Sequence, residues 1–424
     1  MNVAILSSSP KYPESSKVVL KLCLEKTLQY QINDKMKAMS IKLIAKKGST
    51  FHDFPYSSPE RKCFHCWIIN VTPPGPNQCL HNCIYCYARE AIYSNYSKDA
   101  LIYNNLPELV EKDLKKLTLC PPISLSNVSD PCQDIPELKV EVKRLVQLLM
   151  DYGVSFFITT KGDPSFLLEL PDFINYKPKL IATTIEGTHE ILELLSPGAP
   201  PFDVRVATVR KLSQLGIDTI IRFDPIFIHL FQALYGNRWL DKIAELIDIF
   251  AATGTKHIIT STGKLSKKRF LKHKDTSTWQ RIYKVIRAQS PLAAKQFEQE
   301  YIYERNWSGG GYHLRKNLRL DFHHKLRDLV QGRGMTYATC QELSAEESDS
   351  KNIPNCHSLP LPFARKQADG KFKPVSDCTA NCHISCRGLT NPPCGQPKLV
   401  TYKPLKLNKL CFKTEANDVP AQLW

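Results

Sequence analysis

The stretch "ELKVEVKRLVQLLMDYGVSFFITTK" (residues 137–161) joins two periodicities. Through Met150, apolar residues fall three and four apart, at Leu138, Val142, Leu145 and Leu149, which is helical spacing. Gly153 then supplies a helix stop, because glycine accepts the left-handed conformation a helix end needs. The run that follows, Val154 to Lys161, is aromatic and β-branched and reads as a buried strand.

The same device recurs in both directions. Helix-like "PFDVRVATVRKLSQLG" (201–216) and "RWLDKIAELIDIFAATG" (238–254) also end on glycine. Strand-like runs occupy 67–72, 123–129, 154–161, 180–186, 219–228 and 257–262. Six strands separated by crossover-length connections predict parallel βα units. The expected fold is α/β, a partial (β/α)6 TIM-like barrel with an N-terminal extension and a cysteine-rich C-terminal module. The expected boundaries are an extension over 1–62, the barrel over 63–290, a basic aromatic connecting segment over 291–334 and the module over 335–424. A further helix is expected around Val18–Leu28. Functional groups of such folds sit at the C-terminal strand ends. Those ends are polar here, at Asn70, Asn127, Ser129, Lys161, Thr184, Glu186, Arg222, Asp224 and Ser261.

The 424 residues contain no run of the ~18 apolar residues a membrane span needs. The apolar stretch Val3 to Leu6 is too short for a secretory signal, so the expected location is cytoplasmic, without membrane contact. In that compartment 15 cysteines point to metal ligation where clustered and to apolar filling where scattered, as at Cys23, Cys120 and Cys411. Lys and Arg outnumber Asp and Glu by 57 to 41, a formal charge of +16, which fits either a nucleic-acid partner or a generally basic enzyme.

Just after the first strand of the rhythm stands "CLHNCIYCYARE", with Cys79, Cys83 and Cys86 in a C-x3-C-x2-C spacing. Three thiolates on one short loop hold three irons of a cubane cluster and leave the fourth open to a small chelating molecule. A structural zinc would want four protein ligands.

That motif, in that position, resembles the radical S-adenosylmethionine (SAM) superfamily. Tyr85 and Tyr87, with "SNVSDP", "FFITTKGD", "IATTIEG", "LLSPGAPPFDVRVATVRKL" and "GIDTIIRFDPIFI" in that order, are similar to its spore photoproduct lyase or DNA photolyase-like branch. The resemblance covers roughly 65–265, with an echo in "TYATC" (336–340). It implies a [4Fe–4S] cluster on the three cysteines, SAM on the open iron, and a reducing partner such as flavodoxin or ferredoxin. It also implies Tyr85 against the adenine, with Ser129, Lys161 and Thr184 reaching ribose and carboxylate. Arg222 joins that set, or pairs with Asp224 beneath it. Tyr87 would lie on the substrate side. One position departs from the branch. Where those lyases carry a hydrogen-donating cysteine before the Ser-Asp pair, this chain has Val128. Cys132 and Cys340 are the candidate replacements, each also readable as a structural thiol.

Cys63 and Cys66 form a C-x2-C pair, and Cys378, Cys382, Cys386 and Cys394 cluster near the C-terminus with Cys356 upstream. The expectation is a second iron–sulfur cluster or zinc among Cys378, Cys382, Cys386 and Cys394, with His357 and His383 as further ligand candidates or ordinary surface histidines. The basic run 263–274 and the segment carrying Trp307, Tyr312, Arg315, Lys316 and Arg319 suit phosphate contact and base stacking. The functional expectation is a radical SAM enzyme that cleaves SAM to a 5′-deoxyadenosyl radical and takes hydrogen from nucleic acid, in lesion repair or base modification. The alternatives are action on a protein or small molecule with an auxiliary cluster in the tail, and a non-catalytic metal-binding nucleic-acid protein.

Overall fold

A computed structural model of the chain describes residues 40–54, 60–89, 94–267, 277–306 and 309–400. The expected helix at Val18–Leu28, together with Cys23, Glu90, residues 268–274, Trp307 and Cys411, lies outside them.

The centre is an eight-stranded sheet. Its strands are β1 (His52–Asp53), β2 (Trp67–Ile69), β3 (Ile123–Leu125), β4 (Phe156–Thr160), β5 (Lys179–Thr184), β6 (Thr219–Phe223), β7 (His257–Thr260) and β8 (Thr336–Thr339). They lie side by side in chain order. Only β1 runs antiparallel to its neighbour; β2 through β8 are all parallel. The six expected strands are β2 to β7. The seventh parallel strand, β8, arrives after a long connection of helices and an antiparallel hairpin (Tyr301–Asn306 with Gly309–Leu314).

The glycine-ended helices form as the spacing predicts: α1 (Pro136–Asp151), α2 (Phe202–Gln214) and α3 (Trp239–Ala251). Gly153, Gly216 and Gly254 follow them at φ +74°, +69° and +88°. The helix α4 (Lys316–Gln331) and Gly334, at φ +74°, repeat the device before β8.

Two apolar clusters hold the layers together. Ile221 and Phe223 of β6 pack with Ile243, Ile247 and Phe250 of α3. Ile220, on the opposite face, joins Ile181, Ile259 and Phe157. Alternation then places Arg222 on the face of Ile220. Leu361, Phe363, Phe372, Cys378, Cys382, Cys394 and Leu399 share this second cluster, so the cysteine-rich tail and the sheet have one core.

The tail meets the strands where they begin. The Phe372 N–H donates to Tyr152 O at 2.7 Å, the Lys366 N–H to Thr118 O at 2.9 Å and the His65 N–H to Ala380 O at 2.9 Å. Tyr152, Thr118 and His65 lie a few residues upstream of β4, β3 and β2. The tail therefore covers the N-terminal edge of the sheet. His357 and His383 are not at the surface as expected: they are 5% and 6% exposed. His357 packs edge-on against Phe64 and Phe157, and His383 Nε2 lies 2.8 Å from Arg61 O.

Candidate active site

The opposite, C-terminal edge gathers the polar strand ends. The cysteine loop (79–86) follows β2 and is tied on several sides. The Ile84 N–H donates to Leu195 O at 2.9 Å, the Gly198 N–H to His81 O at 3.1 Å and Arg281 Nε to Ile84 O at 2.6 Å. Arg89, expected with Glu90 only to begin the following helix as a surface or capping pair, donates from Nη1 to Asn82 Oδ1 at 2.6 Å and braces the loop.

Glu186, fully buried just past β5, is the hub. Its Oε1 accepts from the Tyr85 hydroxyl and lies 3.6 Å from Lys161 Nζ. Its Oε2 accepts from Arg205 Nη1 at 2.6 Å. Arg205 also donates to Thr184 O at 3.0 Å and Ser196 Oγ at 3.0 Å. Lys161 Nζ stands 5.4 Å over the Tyr85 ring. Burial alone would raise the Glu186 carboxyl; Arg205, then Lys161 and Tyr85, overturn this and hold it at about 2. Burial would lower the Lys161 ammonium, but Cys83 and Glu186 push it above its usual value. The group is therefore charged at neutral pH: one carboxylate between two cations, with a tyrosine hydroxyl attached.

A second group lies at the ends of β2 and β3. Ser129 Oγ accepts from Thr72 Oγ1 at 2.6 Å and lies 3.0 Å from Ser126 Oγ. Tyr87 is 59% exposed, and its hydroxyl donates to Asn127 O at 2.5 Å. A third group lies at β6 and β8. Arg222 Nη2 pairs with Asp224 and also lies 3.4 Å from Cys340 Sγ. Arg222 stands beside Thr184 in the strand register.

Of the sequence-predicted residues, Cys79, Cys83, Cys86, Tyr85, Lys161, Thr184, Ser129, Tyr87, Arg222 and Cys340 all stand along this edge. Cys132 does not present its thiol there: it is 2% exposed and packed in the apolar core. Cys378, Cys382, Cys386 and Cys394 are buried with the tail at the other edge. Of the basic aromatic segment, Arg319 is buried and pairs with Glu304 at 2.7 Å, and Lys316 pairs with Glu347 at 3.2 Å. Arg315 donates to Gln299 O at 3.1 Å.

No family model matches the chain. Among curated proteins it is 24% identical over 375 residues to "Radical SAM Nalpha-GlyT isomerase" of Pseudomonas phage M6, spanning 84% of this chain and 73% of that protein. Over most of its length the chain is thus similar to a radical SAM enzyme. Two solved structures are also similar to it. One is a cysteine-to-serine mutant of spore photoproduct lyase, at 16% identity and TM-score 0.49, covering 70% of this chain and 82% of that one. The other is the lyase complexed with dinucleoside spore photoproduct, at 17% identity and TM-score 0.47, again covering 70% and 82%.

A radical SAM enzyme implies a [4Fe–4S] cluster and SAM, and the loop's donor set fits the cluster. Burial pushes the Cys83 thiol up to about 12 and Cys79 higher still, and neighbouring thiols add to both shifts, Cys86 at Cys83 and Cys83 with Cys86 at Cys79. Buried thiols in such a group ionise only with cations among them, which bound iron provides. Among the described residues, no three His, Cys, Asp or Glu side chains converge as in a filled metal site, the loop thiols included. No helix among the described residues is long and apolar enough to cross a membrane.

Sequence reasoning noted Glu186 as a polar strand end without a role. It missed Arg205, whose mid-helix position in α2 carries no signal, and His81, Asp130 and Gln133, which brace the loop.

Proposed function

We propose that this chain is a radical SAM enzyme and abstracts hydrogen from a nucleic-acid substrate, as a repair lyase or a base-modifying enzyme. The observation that carries the reading is the cysteine loop beside Tyr85, Lys161, Thr184 and Glu186 at the C-terminal edge of a parallel sheet, which we take as a partial (β/α)6 barrel. When bound, the cluster and SAM supply a 5′-deoxyadenosyl radical after one electron from a donor such as flavodoxin or ferredoxin. Cys79, Cys83 and Cys86 are the cluster ligands. Lys161 offers an ammonium to a carboxylate and Ser129 and Thr184 offer hydroxyls to a ribose. Arg205 keeps Glu186 ionised, and Glu186 holds the Tyr85 ring in place beside the loop. Arg222 orients the Cys340 thiol, which is partly exposed where Cys132 is buried, making Cys340 the better placed donor for a product radical. Tyr87, exposed beside Asn127, faces the substrate.

The formal charge of +16 supports the nucleic-acid reading. The internal pairing of Arg319 and Lys316 favours the second reading, a protein or small-molecule substrate. In that reading Cys378, Cys382, Cys386 and Cys394 would hold zinc or an auxiliary cluster. These thiols lie about 15 Å, a strand length, from the edge that bears the loop, which suits a structural metal better than an electron relay.

Anaerobic reconstitution with iron, sulfide, SAM and a low-potential reductant tests the enzyme reading. Wild type is expected to release 5′-deoxyadenosine and Cys83→Ala to release none above background; absence of 5′-deoxyadenosine from both sinks it. Deuterated DNA and RNA then test the substrate, by label recovered in 5′-deoxyadenosine. Label from neither, with binding that does not weaken steeply with salt, rejects nucleic acid.

A further inference from the structure

The turn after β3, "SDPCQD" (129–134), reaches under the cysteine loop with two buried polar side chains. Gln133 is 1% exposed and Asp130 8%. Gln133 Oε1 accepts the Leu80 N–H at 2.6 Å, one residue past Cys79. Its Nε2 donates to Asp130 O at 2.8 Å and reaches Gln78 O at 3.4 Å, one residue before Cys79. Gln133 therefore grips the main chain on both sides of the first cysteine.

Asp130 grips the next residue. Its Oδ2 lies 3.1 Å from His81 Nε2, off the line of a good hydrogen bond. The carboxylate is itself fixed: Thr160 Oγ1 donates to it at 2.6 Å, the Lys161 N–H at 2.6 Å and the Cys132 N–H at 2.8 Å. Two of these donors belong to the strand end that carries Lys161. The same carboxylate thus links the loop that bears the thiols to the backbone of the lysine whose side chain reaches Glu186.

We infer that Asp130 and Gln133 are positioning residues for the cysteine loop, setting the spacing of its three thiols relative to Lys161. The inference rests on the loop being the cluster site proposed above. Neither residue touches a reacting atom; both act through Leu80, His81 and Lys161. Groups that orient a metal's ligands change its affinity 10–100-fold when removed.

The test compares Gln133→Met and Asp130→Asn with Glu342→Gln, a buried carboxylate whose backbone N–H donors are Thr262 and Gly263 rather than loop residues. Each protein is reconstituted as the full chain. Three quantities are read: the rate of iron loss to a chelator, the EPR spectrum of the reduced cluster, and its midpoint potential. The loop variants are expected to lose iron about tenfold faster than wild type and to shift the EPR spectrum and potential. Glu342→Gln is expected to lower the melting temperature and leave all three quantities as in wild type. Wild-type iron release, spectrum and potential in both loop variants would overturn the inference, as would equal changes in Glu342→Gln. A wild-type chain that takes up no cluster overturns the function proposed above as well, so the two failures are distinguishable.

Discussion

At the scale of single residues, Lys161 and Glu186 bear the sharpest consequences. Lys161→Ala removes the ammonium proposed to meet the SAM carboxylate. It is expected to raise the SAM concentration for half-maximal 5′-deoxyadenosine release at least tenfold, the equivalent of ~1.4 kcal/mol. Glu186→Gln acts differently. It leaves Arg205 buried without its counter-charge, and breaking such a pair costs ~3–5 kcal/mol, readable as a fall in denaturation midpoint. The thiols and Lys161 were legible in the sequence because their chemistry comes with spacing and a strand end. Arg205 was not. An arginine midway along an amphipathic helix looks like any solvated one, and only the packing of α2 on β5 turns it inward. The histidines misled for the mirror reason: His357 and His383 neighbour cysteines in polar loops, yet those loops fold into the core.

Among the elements, the glycine stops separate two physical effects. At Gly216 a Cβ would meet open space, so Gly216→Ala is charged only for the positive φ, ~1 kcal/mol. At Gly153 a Cβ would overlap the Phe372 carbonyl of the tail, so Gly153→Ala adds overpacking of ~1–3 kcal/mol to that strain. Chemical denaturation of the two variants is expected to give the larger loss at Gly153; equal losses would mean the tail yields freely. The helices and six strands were legible because periodicity and a stop signal agree in each. β8 was not, because "TYAT" is short and stands far from the rhythm; what makes it a strand is the free edge of β7.

For the whole molecule, acid should reach the fold through Glu342. Burial would raise this carboxyl, but His323 at 2.9 Å and the Thr262 N–H at 2.7 Å hold it at about 2. A folded value below the unfolded one, near 4.5, stabilises the protein at neutral pH. That contribution, on the order of 3 kcal/mol, is present above about pH 4.5 and lost as pH falls towards 2. Melting temperature against pH is expected to show this acid limb in wild type and a shallower one in Glu342→Gln. The order of the chain adds a constraint in time. The core around β2, β3 and β4 is completed by residues 361–399, the last described part of the sequence. A ribosome adding ~5–20 residues per second makes those strands tens of seconds before their partners emerge. Through that interval the growing polypeptide shows an apolar surface to the cell, which makes this protein a natural client for chaperones that bind nascent chains.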